Sequence, residues 1–493
     1  MTSKNVLIIG AGIGGLSTGC YAQMNGYQTQ IFEMHTFPGG QCTAWKRGNY
    51  VFDGCIHHLA GCKPSGLLYG MWEELGALPV RPLIFPEDMC QVEDNSGKRF
   101  TVYVDLDRLR QHMLELAPQD KQAIEGYIKA AKSFQKLDFL DTSLLNGTAF
   151  TKRFLKMASI LTKYGANMTK YAEKFTDPFL RKAFPTIQYD WTETPMFIHL
   201  NMIGNCSSGN YAVPVGGSLE FSRAIEQRYL NLGGVIHYGK KVDKILVEND
   251  KAVGVRLRDG TEHRADIVVS DAFGYTTIFG LLDGKYLDDK IRKQYAKPQE
   301  NMVMGIHVSL GVNRDLSKEP RALVLFLENP VTIADREHCK LDLELFGYDP
   351  SFAPSGKSVI KVLINTNYSY WKHLYSNKEK YRAEKQKVAD VVITLLEKRF
   401  PGIKGQIEVV DIATPMTTER FTGVGQGFES NWGFSDAVGM MRGQPKTLPK
   451  LQNFYMVGFS VGGAGLPGCA AMGRNLVKKL CKQNGADFTA SKP

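Results

Sequence analysis

No apolar run in this chain approaches the ~20 residues needed to span a bilayer. It has no Pro/Ser-rich linker, no low-complexity tract and no repeat at solenoid periods. Those absences exclude a multispan membrane protein, a disordered scaffold and a repeat array. The nine cysteines are odd in number, scattered and never spaced CxxC. That argues against a secreted disulfide framework and for reduced cytoplasmic thiols. A net charge of +10 comes without any zinc-finger or RNA-binding signature, so nucleic acid is not an expected partner. The excess can instead face anionic lipid or an anionic ligand. The opening MTSKNVLIIG reaches a strand at Asn5, which leaves no room for a signal peptide. The expectation is a cytoplasmic protein, or one peripheral to a membrane. Its 493 residues suggest two or three domains with a core that needs no staple.

The first 35 residues read strand (5–9), glycine turn, helix (14–25), strand (27–32), a βαβ opening. Residues 76–212 are richer in helical patterns and aromatics. A helix at 219–232 precedes strand-like pieces at 235–238, 242–248, 252–257 and 267–270, with hairpin turns between the middle ones. Further on, a strand at 359–366 and a helix at 378–399 stand out, and the last 45 residues return to strand, glycine loop, helix. The pattern predicts an α/β nucleotide-binding domain assembled from 1–75, 213–275 and 446–493. A second, α+β domain comes from 76–212 and 276–445.

Gly10-Ala11-Gly12-Ile13-Gly14-Gly15 holds GxGxxG between a strand and a helix, and the acidic Glu33 closes the next strand 23 residues after Gly10. The glycines allow a tight turn and close backbone approach, and the helix N-terminus offers N–H groups and a positive dipole end to a pyrophosphate. Glu33, followed by Met34, can accept from ribose hydroxyls and disfavours a 2′-phosphate. The paired Gly39-Gly40, continuing through Gln41 to Thr43, lets a second backbone segment approach the same ligand. An extended FAD needs that; a nicotinamide dinucleotide does not. No second GxGxxG follows a strand, so no separate NAD(P)H domain is visible. Near the end, a strand closing at Gly458 leads through a glycine-rich loop to Leu466, where Pro467-Gly468 is expected to open a helix. A helix start aimed at a flavin ring would stabilise negative charge on its reduced form.

The segments IIGAGIGGLS, PGGQCTAWKRGNYVFDGCIHHLAG and NFYMVGFSVGGAGLPGCAAMGRN resemble the FAD-dependent phytoene desaturase family, which includes carotenoid isomerases and retinol saturase-like enzymes. A fourth match runs from VPVGGSLEFSRAI to ADIVVSDA. The resemblance implies a glutathione-reductase-like, two-dinucleotide-binding (Rossmann) FAD domain with an inserted substrate domain. It places the Val242 backbone near adenine and adds Asp271 to the cofactor-binding set. It further implies hydride transfer between flavin and a carbon of a lipophilic isoprenoid, carotenoid or retinoid-like substrate, as desaturation, saturation or isomerisation. The electron donor or acceptor stays open. Gln41 stands where the family often has a basic residue, and Phe459 where amine oxidases usually carry an acid. The rival readings are an amine or porphyrinogen oxidase and a non-catalytic flavin-binding scaffold.

The stretch FDGCIHHLAGC packs two histidines between two cysteines, but C-x-H-H-x3-C is not a usual zinc spacing. Adjacent His57 and His58 on a strand would point to opposite faces, so no metal site is expected. By resemblance, 52–59 is a strand ending beside the flavin. His57 falls on a Gly-x-x-His pattern of the saturase-like members, which tilts the reading towards a saturase. His57 is then either the catalytic proton carrier or a wall histidine bonded to a carbonyl; His58 is read as structural. Phe179, Phe184, Tyr189, Trp191, Met196, Phe197 and Met202 either line a tunnel or fill a core. In 150–175, Phe150, Phe154, Met157, Leu161 and Tyr164 share one helical face opposite Lys152, Lys156 and Lys163. That segment is either a membrane-facing amphipathic helix or a core helix with a solvated basic face.

Overall fold

The apolar run Asn5–Ile9 buries four of its five side chains, as a strand covered on both sides must. In the computed structural model, which describes residues 4–145, 147–187, 194–295, 303–424, 445–462 and 465–493, this strand, β1, is the centre of a five-stranded sheet. With β2 (Gln28–Phe32), β3 (Val235–His237), β4 (Ile267–Ser270) and β5 (Phe454–Met456), the order is β3-β2-β1-β4-β5. Every neighbouring pair is parallel. Strands from three distant stretches of chain thus build one Rossmann-like sheet, whose parallel pairs need helical crossovers.

Helix α1 (Ile13–Met24) buries ten consecutive residues, Ile13 to Ala22. It packs between α2 (Gly217–Asn231) and α3 (Gly465–Gln483). The contact with α3 is backbone on backbone. A Cβ at Gly473 would stand 2.6 Å from the Thr18 nitrogen and 2.9 Å from the Gly14 carbonyl oxygen. The Ser17 hydroxyl donates to the Ala470 carbonyl at 2.7 Å across the same seam. Helix α3 begins at Gly465, two residues before the expected Pro467.

The second large sheet has seven strands, in the order Ile407–Ala413, Val303–Val312, Ser358–Asn367, Arg336–Leu345, Ala322–Ile333, Asp88–Glu93, Arg99–Tyr103. Only the pairing of Ala322–Ile333 with Asp88–Glu93 is parallel. Two of its strands therefore come from a region whose composition reads as helical. Period-two alternation splits this sheet into unlike faces. Ile306, Val308, Leu310, Leu341, Leu343, Val362 and Ile364 are buried with Val388, Val392 and Leu396 of the long helix Lys378–Arg399. The opposite face carries His307, Ser309, Asp342, Glu344 and Lys361 and is turned to the dinucleotide half.

Among the described residues, the aromatic material of the helical layer packs as core. Phe179, Phe184, Met196 and Phe197 are buried and Met202 packs against them. Phe184 touches the rings of Tyr127, Tyr171, Phe175 and His199. Tyr189 and Trp191 lie outside the described residues. Gly473→Val should force α1 and α3 apart, with an overpacking cost of about 1–3 kcal/mol. Thermal unfolding followed by circular dichroism should show a lower melting temperature; an unchanged one would mean the helices can separate freely.

Candidate functional site

At the C-terminal ends of β1, β4 and β5, glycines bring three chain segments into contact. The turn after β1 starts at Gly10, whose φ of +97° suits glycine. A Cβ on Gly14 would stand 2.9 Å from the Gly458 Cα, beyond β5, and one on Gly15 would strike the Gly10 carbonyl. From the third side, Gly39 N–H donates to the Ala11 carbonyl at 2.8 Å, and Gly12 and Gly39 form a parallel bridge. The loop from Gly39 to Thr43 is pinned by Cys42 N–H donating to Gly39 O at 2.9 Å and by the Ser222 hydroxyl donating to Cys42 O at 2.7 Å. Ala11 and Ile13 are buried within the turn.

Glu33 is buried at the end of β2. Its carboxylate accepts from the Ala11 N–H and the His35 N–H, both at 2.7 Å. Burial raises its pKa, and the N–H groups of Ala11, His35 and Met34 oppose that rise. Two oxygens with about four acceptor sites still leave room for a hydroxyl donor. Gly239 N–H and Lys240 N–H donate to the carbonyls of His35 and Glu33 at 2.9 and 2.8 Å, which carries the chain to Val242, buried at the start of its strand. Met34 is half-buried and reaches towards Gly423.

Asp271 lies on the turn itself. The N–H groups of Gly15 and Gly12 donate to its carboxylate. Burial pushes its pKa up to about 7, Gly15 and Gly12 pull it back, and Glu33 pushes it further. A carboxyl raised this far is partly protonated at physiological pH and repels a nearby phosphate less than a fully ionised one would. Leu466 is half-buried and Pro467 and Gly468 buried in the first turn of α3; residues 463–464 lie outside the described set.

These residues fit an extended dinucleotide. The cradle admits a ligand only where side chains are absent, the α1 N-terminus favours a pyrophosphate, and Glu33 suits a ribose. The sharpest sign is Gln41, whose amide nitrogen is buried with no hydrogen-bond partner. A buried donor without an acceptor is rare, and a ligand oxygen would satisfy it. The glutamine at the position where the resembled family often has a basic residue thus carries a spare donor. Thr43 joins this loop to the next region, its carbonyl accepting from Gly54 N–H at 2.9 Å.

The expected continuous strand over 52–59 is not formed. A strand ends at Asp53 and a short one resumes at Leu59–Ala60. Between them the loop is held by Asp53, which accepts from Ser218 N–H at 2.6 Å, the Ser218 hydroxyl at 2.7 Å and Cys55 N–H at 3.0 Å. His57 and His58 go separate ways. His57 Nδ1 contacts Glu344, whose other oxygen pairs with Lys361. Lys361 Nζ also donates to the Asp53 carbonyl at 3.1 Å. Arg321 donates to the His57 carbonyl at 3.1 Å and to His58 Nε2 at 2.8 Å. His58 is held well below its usual pKa, by desolvation first and then by Arg321 and His57. An imidazole that accepts from a buried arginine fits a structural role. Among the described residues, no three His, Cys, Asp or Glu side chains are grouped to hold a metal ion.

Sequence reasoning missed Glu344, Lys361 and Arg321. A signal existed for the first: Lys340, Asp342 and Glu344 alternate with Leu341, Leu343 and Leu345. Such alternation usually means a solvated face.

Residues 8–75 match a family described as an NAD(P)-binding Rossmann-like domain. The chain is 27% identical to prolycopene isomerase 2, chloroplastic, of an Oncidium hybrid cultivar, across 92% of this chain and 80% of that one. It is 23% identical to the all-trans-retinol 13,14-reductase of Danio rerio, across 92% and 82%. Among solved structures it resembles an oxidoreductase from Methanosarcina mazei, with a TM-score of 0.59 at 19% identity over 96% of this chain and 100% of that one.

Replacing Gln41 by methionine should separate ligand binding from stability. The flavin-free protein should gain about 1–3 kcal/mol from losing an unpaired buried donor, while bound FAD should dissociate more readily. Melting curves of flavin-free protein and flavin content after dialysis measure the two effects. A variant that keeps its flavin as firmly as wild type would remove Gln41 from the cradle.

Proposed function

We propose that this chain, a carotenoid-isomerase- and retinol-saturase-like flavoprotein, is an FAD-dependent oxidoreductase acting on carbon–carbon bonds of a lipophilic isoprenoid, carotenoid or retinoid-like substrate. The observation that carries the reading is that the similarity to two polyene-acting enzymes runs through 92% of the chain, so it includes the seven-stranded sheet as well as the dinucleotide cradle. The segments 1–75, 213–275 and 446–493 hold the cofactor, and 76–212 with 276–445 hold the substrate.

Bound FAD supplies hydride exchange, which a substrate carbon requires and no side chain here can provide. Residues Gly10 to Gly15 and Gly39 to Thr43 hold its pyrophosphate side, Glu33 and Met34 the ribose, Val242 the adenine side, and Asp271, Gly458 and Leu466 to Gly468 the remainder. His57 is the proton carrier. It stands on the loop after Asp53, against the polar face of the large sheet, with 37% of its side chain exposed. Net saturation of a double bond needs a proton for every hydride, whereas desaturation of a polyene can lean on a delocalised cation. A placed histidine therefore favours the saturating direction, and general acid–base help of this kind is worth ~10²–10⁴ in rate.

The basic helix Gly147–Tyr164 supports a membrane-surface role. None of its side chains is buried, and Phe150, Phe154 and Leu155 are 44%, 43% and 64% exposed beside Lys152 and Lys156. Met157, Leu161 and Tyr164 turn partly inwards, so the outward apolar patch is narrower than the sequence implies. Each lysine near an anionic surface adds about 1 kcal/mol. No helix among the described residues is long and apolar enough to cross a membrane. Extraction of a bilayer-dissolved substrate would use such a contact.

Anaerobic titration with carotenoids, retinoids and unsaturated lipids should bleach the oxidised flavin band or restore it from the reduced state. No response to any of them would defeat the substrate assignment. His57→Ala should keep flavin and lose roughly tenfold or more in turnover; full activity would remove His57 from the chemistry. In flotation with anionic liposomes the protein should rise with the lipid, and Lys152→Glu/Lys156→Glu should stay behind. Wild-type protein left in the soluble fraction would end the membrane role.

A further inference from the structure

Glu344 and Lys361 stand directly opposite each other in the register of strands Arg336–Leu345 and Ser358–Asn367, so they leave the same face of the sheet. Their side chains are nearly sealed, 4% and 2% exposed, whereas His57 keeps 37%. A buried cation, a buried carboxylate and an accessible imidazole thus form one line. The chemistry proposed above asks nothing of the inner two. Apolar side chains of similar size would often hold the fold as well as a buried ion pair does.

We infer that Glu344, anchored by Lys361, is a positioning residue that fixes neutral His57 in its Nδ1–H tautomer and so makes Nε2 the nitrogen that exchanges a proton with the substrate. The inference rests on the reading of His57 as the proton carrier. An ionised carboxylate only accepts hydrogen bonds, so a neutral imidazole against it carries its hydrogen on Nδ1. Glu344 remains ionised: burial alone would raise its pKa, but His57 and Lys361 hold it well below the usual carboxylate range. The other groups around the imidazole are committed elsewhere. Arg321 engages His58, desolvation brings His307 down to about 3, and Asp53 is taken up by Ser218 and Cys55. Burial raises the Tyr348 phenol, and Lys340 pairs with Asp342. The step moves one proton and no electrons through the protein. In saturation the imidazolium Nε2–H bond breaks, leaving neutral imidazole, and the proton forms one substrate C–H bond with the electron pair of the C=C π bond; the second C–H bond, on the other carbon, would take hydride from reduced flavin, and desaturation would run the reverse.

Holoenzyme labelled with ¹⁵N-histidine reads the tautomer directly, and the pH profile of kcat reads its consequence. In Glu344→Gln the lone carbonyl oxygen goes to Lys361, which has only donors, and the amide NH₂ turns to His57. Nδ1 must then accept, the hydrogen moves to Nε2, and the acidic limb of the profile should fall by roughly 1–3 pH units. Lys361→Met leaves the Glu344 charge undivided and should move the same limb upwards. A merely structural pair would not shift it in opposite directions. Where a single variant loses flavin, Glu344→Gln/Lys361→Met removes both charges, and its free carbonyl should restore the Nδ1–H form. An unchanged tautomer and limb in flavin-loaded Glu344→Gln, or an Nε2–H form in the double variant, would overturn the inference. Full turnover of His57→Ala beside a flipped tautomer in Glu344→Gln would instead sink the proton role while supporting the positioning.

Discussion

Everything in this molecule depends on how closely backbone can approach backbone around the turn after β1. Gly12 bridges Gly39, Gly14 abuts Gly458, and Gly473 lets α3 lie against the first turns of α1. No side chain fits at those points, so the chain's beginning, its 39–43 loop and its last fifty residues are fixed relative to one another. The parallel sheet supplies the geometry, since its strands all end at one edge. The same lack of side chains leaves backbone lining that edge, beside the N-terminus of α1. Stability and ligand binding here come from one set of contacts, and a change at a cradle glycine perturbs both.

The second constraint is the two-faced large sheet. One face is aliphatic and is satisfied by the helix Lys378–Arg399. The other carries charge and has to find polar partners without water. It finds them in the irregular 54–58 loop, through Asp53, His57 and His58. This explains why the expected strand breaks there: a regular ladder would commit the loop's carbonyls to a neighbouring strand, whereas Arg321 and Lys361 need those of His57 and Asp53 as acceptors. The polar network ties this segment of the dinucleotide half to the large sheet.

Local signals in the sequence carry much of this. The βαβ opening, Glu33 at a strand end and the terminal strand–loop–helix each depend on a few adjacent residues, and each appears where composition and spacing put it. What composition conceals is long-range pairing. Strands Asp88–Glu93 and Arg99–Tyr103 sit among helical segments and become strands by joining a sheet whose other members lie more than 200 residues on. Glu344 and Lys361 are unremarkable letters in alternating strands; only their cross-strand register and burial mark them. The apolar stripe of 150–164 is split, with Met157, Leu161 and Tyr164 turned partly inwards and Phe150 and Phe154 left exposed, since hydrophobic periodicity identifies a stripe without saying which part is covered. For Phe179, Phe184, Met196 and Phe197, where composition left tunnel and core open, packing in the helical layer takes them as core.

A hydrocarbon chain offers an enzyme almost nothing to hold by hydrogen bonds. Position must come from shape, and any proton must come from the protein, at a point water does not flood. On the proposed reading, that requirement accounts for an otherwise odd feature, a lysine and a glutamate sealed beneath a half-open histidine. Charge placed directly against the substrate would be costly to desolvate. Charge placed one residue behind, and neutralised there by Lys361, can set the state of the histidine without meeting the substrate. If His57 is the proton carrier proposed above, the polar face of the sheet is the means by which a site for a hydrocarbon substrate acquires one.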